Sequence, residues 1–185
     1  MVSTWRSVGL MEFFETVETR RSCRQFSVVP VEPEKLAEIL EAANQAPSAG
    51  NLQAYQIIVV KSPAVKARLE AASGNQRAVA RAPIVLVFCA APERSAACYG
   101  ARGEQLFCVQ DATIACAYAQ LAATALGLAS VWIGAVQEPE VAKEALRLKE
   151  DLWPIIFLPI GYAAETPPPR SRRALADLVW DLPPA

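Results

Sequence analysis

The chain has 185 residues, a formal net charge of −1, 53 % apolar residues and 20 % charged residues. This length fits one compact domain, and the near-neutral charge gives no electrostatic reason to expect a nucleic-acid partner. The sequence has no histidine and its five cysteines form no CxxC pair, so we expect no metal site and no Ser-His or Cys-His nucleophile. The apolar surplus favours a subunit interface.

The N-terminal stretch and the hydrophobic runs bear on location. No run approaches the roughly twenty apolar residues that span a bilayer, so no membrane association is expected. Residues 1–10 lack an apolar core of signal-peptide length, which indicates a cytoplasmic protein. We expect residues 1–10 to be a loose leader and residues 11–185 to form a single domain.

Hydrophobic spacing predicts helices and strands in alternation. A short helix is predicted at about 11–18, and further helices at about 33–45, 63–72, 77–82, 105–126 and 139–148. Strands are predicted at 55–60, 84–89, 129–136 and 153–162. Residues 91–104, with a proline and two glycines, are expected to form a loop. Four strands among helices predict a layered α/β or α+β domain with the sheet in the middle.

The predicted helix over 105–126 is apolar on nearly every side. It is rich in alanine and carries one charged residue, Asp111, which is typical of a buried helix. Because alanines let another backbone approach closely, this helix is a candidate for the centre of a dimer. Ala117 or Ala123 is then expected to face the partner.

Two arginine clusters stand far apart in the chain, at residues 20–24 (Arg-Arg-Ser-Cys-Arg) and at residues 170–173 (Arg-Ser-Arg-Arg). A guanidinium presents a planar fork of donors that suits phosphate oxygens, and it keeps its charge at any working pH. A phosphate in a pocket needs more than one such partner, so convergence of the two clusters would form a phosphate site. For either cluster alone, a solvated basic surface is about as good an interpretation.

The segment 47–53 (Pro-Ser-Ala-Gly-Asn-Leu-Gln) breaks a predicted helix before a predicted strand. Its Ser, Asn and Gln side chains and its backbone amides can hydrogen-bond a ring that carries N–H and C=O groups. An ordinary helix-to-strand connection is the alternative. No glycine-rich dinucleotide fingerprint and no P-loop occur.

In combination these motifs resemble the nitroreductase family of flavoproteins, from about Met11 to Val179. The resemblance rests on Arg20-Arg21-Ser22-x-Arg24-x-Phe26, the segment 46–53, Gly74-Asn75-Gln76, Gln110-Asp111, Ala125-Leu126-Gly127-Leu128, Trp132-Ile133-Gly134 and Gly161-Tyr162 followed by Pro and Arg-Arg. It implies an α+β three-layer sandwich, with a mostly antiparallel central sheet flanked by helices, and an obligate homodimer that binds FMN at each end of its interface.

The resemblance also implies an activity and a set of cofactor-binding residues. Hydride would pass from NADH or NADPH through FMN to a nitroaromatic, a quinone or a similar small acceptor, and no side chain need act as a catalytic acid or base. Residues expected at the phosphate and ribityl chain are Arg20, Arg21, Ser22, Arg24, Arg170 and Arg172. Residues expected at the flavin ring are Pro47, Ser48, Ala49 and Asn51, from the same or the other subunit, together with Asn75, Ile133 and Gly134.

Three other functions fit the same sequence. A specialised flavin enzyme of the dehalogenating or flavin-fragmenting type would share the fold. A flavin-binding protein without efficient turnover would share the site. An arginine-rich interaction module without flavin would require the match at residues 47–53 to be chance.

Overall fold

The computed structural model describes residues 11–182, so the expected leader at residues 1–10 lies outside the described part of the chain, as do residues 183–185. The helices are α1 (Phe13–Thr19), α2 (Pro33–Asn44), α3 (Pro63–Ala72), α4 (Ala78–Arg81), α5 (Pro92–Arg102), α6 (Cys108–Ala125) and α7 (Pro139–Leu146). The strands are β1 (Tyr55–Val60), β2 (Ile84–Ala90), β3 (Ala129–Ser130) and β4 (Trp153–Gly161). Short 3₁₀ turns occur at Ala49–Asn51 and Leu175–Asp177, and a π-helical turn occurs at Gly103–Phe107.

The four strands form one antiparallel sheet in the order β1-β2-β4-β3. Every residue of β2 is buried, because this strand is paired on both edges and covered on both faces. Its apolar residues alternate between two cores, as the two-residue period of a strand requires. The mostly antiparallel sheet expected from the sequence is thereby confirmed.

Helices cover both faces of the sheet and make three layers. On one face α2 and α6 pack against Leu86 and Phe88 of β2 and Leu158 of β4. On the other face α3, α4 and α7 pack against Val87 of β2 and Phe157 of β4. The predicted three-layer α+β sandwich is confirmed.

The sequence prediction was wrong over residues 91–104, which form α5 and the start of the π-helical turn instead of a loop. Pro92 stands in the first turn of α5, where its missing N–H costs no hydrogen bond. Ser95 is fully buried where Gly103 packs against its backbone, an approach too close for any Cβ at position 103. This contact between two turns of chain holds the segment in place.

The strand predicted at 129–136 is also shorter in the structure, where β3 ends at Ser130. The next residue, Val131, donates its N–H to the carbonyl oxygen of Pro159 in β4 (3.3 Å). Pro159 has no N–H to return, so the ladder is interrupted there. Pairing resumes only as an isolated bridge between Ile133 and Phe157.

Residues Pro92–Ala125 form one helical stretch of 34 residues that is long and apolar enough to span a bilayer by those two measures alone. Of its most apolar window, 44 % is buried within the protein. The buried side of α6 packs on the sheet through Ala115, Ala119 and Ala123, which is the arrangement of a core helix.

Candidate functional site

The first arginine cluster is laid along the outer edge of the sheet. Helix α1 ends at Thr19, and from Arg20 the chain runs parallel to β3, with an isolated bridge between Ser22 and Ser130. Cys23 donates its N–H to the carbonyl oxygen of Ser130 (3.0 Å) and its side chain is buried. Since side chains alternate along an extended segment, burying Cys23 turns Ser22 and Arg24 to the opposite side.

The second arginine cluster reaches the same edge through the C-terminal tail. After β4 the tail pairs with residues 25–27: Ala164 donates its N–H to Gln25 (2.9 Å) and Ser27 donates its N–H to Tyr162 (2.9 Å). The three prolines at 167–169 follow and keep the chain extended, because each fixes its own φ angle. The tail therefore delivers residues 170–172 to the side of the segment 20–24.

The two clusters meet around one cavity of about 240 Å³. It is lined by Arg20, Arg21, Ser22, Arg24, Pro167, Pro168, Arg170 and Arg172. The structure therefore brings together all six residues that the family resemblance placed at a phosphate and ribityl chain. Pro167 and Pro168 were not assigned from the sequence, where they indicated only a stiff exit from the sheet.

The guanidiniums of this cavity form no ion pair within the described part of the chain. Within the described residues, none of the five lies within 4 Å of a carboxylate oxygen; the ion pairs there join Lys35 to Glu32, Arg68 to Glu144 and Lys143 to Glu140. Burial, followed by the nearby charges of Arg172 and Arg21, lowers the pKa of Arg20. Like charges held together without a counter-ion make a strong site for an anion.

A second cavity, of about 190 Å³, adjoins the first through Arg24, which lines both. Its other lining residues are Gln76, Val131, Trp132, Ile133, Gly134 and Ala135. The backbone of Ile133 exchanges two hydrogen bonds with Phe157 (3.0 and 2.9 Å), which fixes the position of Gly134 beside it. Two of the predicted ring contacts thus lie next to the arginine cavity.

The predicted contact Asn75 does not line this cavity, whereas its neighbour Gln76 does. Asn75 is exposed and has a left-handed backbone (φ 60°), with its N–H donated to the carbonyl oxygen of Glu70 (3.0 Å). The tripeptide Gly74-Asn75-Gln76 marked this turn in the sequence, but only the fold decides which of its side chains faces the cavity.

The segment 47–53 is held in a strained shape by a buried acid. Gly50, Asn51 and Gln53 all have positive φ angles (56°, 57° and 45°), which costs energy for the two residues other than glycine. Asp111, 2 % exposed, accepts the N–H of Ala49 (2.9 Å) with one carboxylate oxygen and the N–H of Ala54 (3.2 Å) with the other. This single side chain therefore clamps both ends of the loop.

Helix α5 lies over the same loop. Arg94 donates its Nε–H to the carbonyl oxygen of Leu52 (2.5 Å), and the hydroxyl of Tyr99 lies against Gly50. The ring of Tyr99 packs edge-on against Phe107, with ring centres 5.1 Å apart. Phe107 and Ala49 in turn line an open cavity of about 440 Å³ along α6. The region 91–104 thus covers the segment expected to line the flavin ring.

Within one chain, the segment 47–53 and the arginine cavity lie at opposite corners of the sheet. The loop precedes β1 at one edge, whereas residues 20–24 lie beyond β3, four strand spacings or about 19 Å away. Along the strands, the loop is at the Ala90 end of β2 and the arginines are at the Ile84 end, about 20 Å apart. The structure therefore does not bring Pro47, Ser48, Ala49 and Asn51 to the arginine cavity of their own chain.

Comparisons with known proteins identify the family. The sequence profile described as "Nitroreductase family" matches residues 17–76 and 70–162. The chain is 32 % identical to a protein of Bacillus subtilis (strain 168) named FMN reductase (NAD(P)H), covering 83 % of this chain and 67 % of the relative. It is 32 % identical to the oxygen-insensitive NADPH nitroreductase of Salmonella typhimurium, covering 80 % of this chain and 64 % of that protein.

The fold is similar to that of a solved flavin reductase. The NADPH:FMN oxidoreductase of Vibrio harveyi, solved in complex with NAD+, superimposes with a TM-score of 0.84 at 27 % identity. The match covers 91 % of this chain and 76 % of that one.

The clamp on the segment 47–53 gives a first testable prediction. Replacing Asp111 with Ala leaves two amide N–H groups without an acceptor, and we expect the free energy of unfolding to fall by about 2–4 kcal/mol. Asp111→Asn keeps one acceptor oxygen, so its free energy of unfolding should fall by about half as much as that of Asp111→Ala. Urea denaturation measures both, with the exposed Asp177→Ala as a control expected to stay within about 0.5 kcal/mol of the parent. An Asp111→Ala variant as stable as the parent would show that the loop holds its shape without the clamp.

Proposed function

The chain belongs to the nitroreductase family, and from this premise we propose that it is an FMN-dependent NAD(P)H oxidoreductase that reduces nitroaromatics, quinones or similar small acceptors. The observation that carries the proposal is the convergence of five arginines on one cavity that contains no carboxylate. The relatives named as FMN reductase and NADPH nitroreductase favour this activity over a flavin carrier or a flavin-fragmenting enzyme.

The residues of the cavity fit the phosphate end of FMN. A terminal phosphate carries up to two charges and three oxygens that accept hydrogen bonds, and the five guanidiniums offer charged donors in excess. Three of them, those of Arg21, Arg24 and Arg172, donate only to backbone carbonyls close to them in sequence, among the bonds of the described residues. These three guanidiniums can therefore bind an anion by giving up only weak local hydrogen bonds.

Arg24 and the second cavity extend the proposed site toward the flavin ring. Because Arg24 lines both cavities, a ligand whose phosphate lies in the first can pass along this side chain to Gln76, Ile133 and Gly134 in the second. We assign the ribityl chain and the polar edge of the ring to this path. FMN, when bound, supplies the transfer of hydride between NADH or NADPH and the acceptor. The protein's own residues bind and orient the cofactor, and no side chain is assigned a catalytic role.

The remaining ring contacts belong to a second copy of the chain. Pro47, Ser48, Ala49 and Asn51 lie at the corner of the sheet opposite the arginine cavity, so in the proposed homodimer each flavin takes these four residues from the partner subunit. The same arrangement accounts for the strain in the loop 47–53, because backbone strain is commonly retained at ligand sites.

An exposed apolar surface supports the dimer. Phe13 and Phe14 of α1 are 63 % and 83 % exposed, and Tyr118 of α6 is 41 % exposed. A groove of about 500 Å³ between α1, α2 and α6 is lined mainly by apolar side chains, Leu121 among them. Such a surface on a single chain is typical of an interface. Ala117 lies on this outward side of α6, whereas Ala123 is fully buried in the core and cannot face a partner.

The tail adds to this apolar surface. Leu175, Leu178, Val179 and Trp180 are each more than half exposed, and they follow the arginine cavity directly. Covering them is a further role for the second copy. A cytoplasmic location, expected from the sequence, is retained as part of the proposal.

Reduction by a nicotinamide donor tests the activity. The purified protein should be yellow and release FMN, and not FAD, on denaturation. Under anaerobic conditions NADH or NADPH should bleach the flavin absorbance, and a nitroaromatic or a quinone should restore it. Bound flavin that remains oxidised after addition of NADH and after addition of NADPH would identify a flavin carrier. A colourless protein that takes up no FMN would contradict the proposal as a whole.

The phosphate assignment is tested at Arg20. Arg20→Ala should weaken FMN binding by one to a few orders of magnitude, because the loss of a charge-assisted pair costs about 2–5 kcal/mol. Riboflavin, which has no phosphate, should bind nearly as well as before. Arg20→Lys should fall between the two, since a point charge replaces a fork of donors.

Titration of flavin-free protein with FMN and with riboflavin makes the comparison. The matched control is Arg77→Ala, which removes an exposed arginine outside the cavity and should leave both affinities unchanged. Equal weakening of FMN and riboflavin in Arg20→Ala would mean that Arg20 does not recognise the phosphate.

The dimer is tested by replacing an alanine with glutamate at two different positions, in two separate variants. Ala117→Glu puts a charge on the outward side of α6 and should reduce the dimer to monomer or insoluble protein, because an unpaired charge in an apolar interface is strongly disfavoured. Ala71→Glu makes the same change on the exposed side of α3, in the opposite layer, and should remain a flavin-loaded dimer. Light scattering with flavin absorbance distinguishes the cases; a flavin-loaded parent monomer would refute the proposed assembly.

A further inference from the structure

Glu165 lies where the two halves of the arginine cavity are joined. Its Oε1 accepts the backbone N–H of Arg24 (2.6 Å) and the backbone N–H of Gln25 (3.1 Å). Glu165 belongs to the tail, two residues before Pro167, and Arg24 belongs to the first cluster. The two hydrogen bonds therefore tie together chain segments that supply opposite walls of the cavity.

The carboxylate of Glu165 bonds to backbone and not to a guanidinium. It is exposed and stands beside the most basic surface of the described chain, yet no arginine lies within 4 Å of it there. The bond from the Arg24 N–H is the first cause that lowers the pKa of Glu165, with a smaller contribution from the Gln25 N–H. The Cys23 side chain and, last, the charge of Arg24 lower the pKa of Glu165 further, so backbone donors are the main cause and no guanidinium of the described chain is held in an ion pair with this acid.

A short antiparallel ladder next to Glu165 also holds the tail against the segment that follows the first arginine cluster. Ala164 donates its N–H to Gln25, and Phe26 and Ala163 form an antiparallel bridge. This ladder stops at Gln25 and does not reach residues 20–24. Beyond it, the hydrogen bond that the Arg24 N–H donates to Glu165 holds the tail against the cluster.

We propose that Glu165 is a positioning residue for phosphate recognition, which sets the spacing between the 20–24 cluster and Arg170 and Arg172 by clamping the amides of residues 24 and 25. This inference rests on the proposed function, because it takes the cavity to hold the FMN phosphate. A carboxylate beside a phosphate site repels the phosphate, so Glu165 favours binding only if the clamp contributes more than the repulsion removes.

The clamp requires an oxygen acceptor and not a negative charge. Glu165→Ala removes the acceptor, and we expect it to reduce the preference for FMN over riboflavin by about tenfold or more, with riboflavin affinity unchanged within about twofold. Glu165→Gln retains an acceptor oxygen and removes the repulsion, so it should keep or exceed the parent preference. A residue important only for stability would lower both affinities together.

The experiment titrates flavin-free protein with FMN and riboflavin for the parent and both variants, and adds amide hydrogen exchange at residues 24 and 25. Exchange at these two amides should accelerate in Glu165→Ala and stay near the parent rate in Glu165→Gln. The matched control is Glu32→Ala. Glu32 is likewise an exposed acid that accepts a bond from the tail, from the Tyr162 hydroxyl (2.7 Å), but the amides of residues 24 and 25 donate to Glu165 instead.

The outcomes separate this inference from the function on which it rests. A parent protein without preference for FMN over riboflavin overturns the phosphate site and the role of Glu165 together. A parent preference that survives in Glu165→Ala overturns the role of Glu165 alone, and so does a Glu165→Gln variant that behaves like Glu165→Ala. Loss of the preference in Glu32→Ala would show that any disturbance of the tail has the same effect.

Discussion

The repulsion among the guanidiniums of one cavity is the constraint that the surrounding structure has to meet. Arg20 and Arg172 come from opposite ends of the chain, and the pKa of Arg20 is lowered first by burial and then by the charge of Arg172. An anion between them turns this repulsion into attraction. Binding of such a ligand also stabilises the folded protein, by about 2.7 kcal/mol at a ligand concentration one hundred times Kd. The cluster therefore costs stability in the empty protein and returns it when the site is filled.

Two carboxylates, Asp111 and Glu165, shape the site through the backbone. Each accepts two main-chain N–H groups, Asp111 from residues 49 and 54 and Glu165 from residues 24 and 25. An acid that paired with a guanidinium would neutralise the charge on which anion binding depends. An acid that bonds to amides fixes the loop and leaves the arginines available. The use of backbone donors thus reconciles a rigid site with a high positive charge.

Local sequence patterns predicted the sheet better than they predicted the site. The bounds of β1 were predicted correctly, because β-branched residues mark that strand directly. Helix α5 was missed because residues 91–104 contain a proline and two glycines, which usually mark a loop; in the structure Pro92 begins the helix and Gly103 follows its last residue, packed against Ser95. The two clamps were missed because they join distant parts of the chain: Asp111 acts on a residue 62 positions away, and Glu165 on one 141 positions away. A single acid in an apolar helix was the visible signal for Asp111, whereas Glu165 had none.

The diagonal placement of the two half-sites restricts how a complete site can form. A two-fold axis that brings the outward sides of two α6 helices together makes an isologous interface, in which each contact occurs twice. If it also places the 47–53 corner of one copy beside the arginine corner of the other, it does so at both ends of the interface, and two identical sites result. In the proposed dimer neither copy can hold both the phosphate and the ring, so binding and assembly are coupled. By linkage, a cofactor that binds more tightly to the dimer tightens the dimer by the same factor. In such a dimer the exposed apolar surface would bring the two half-sites together, and the cation cluster would bind the phosphate of the cofactor that occupies them.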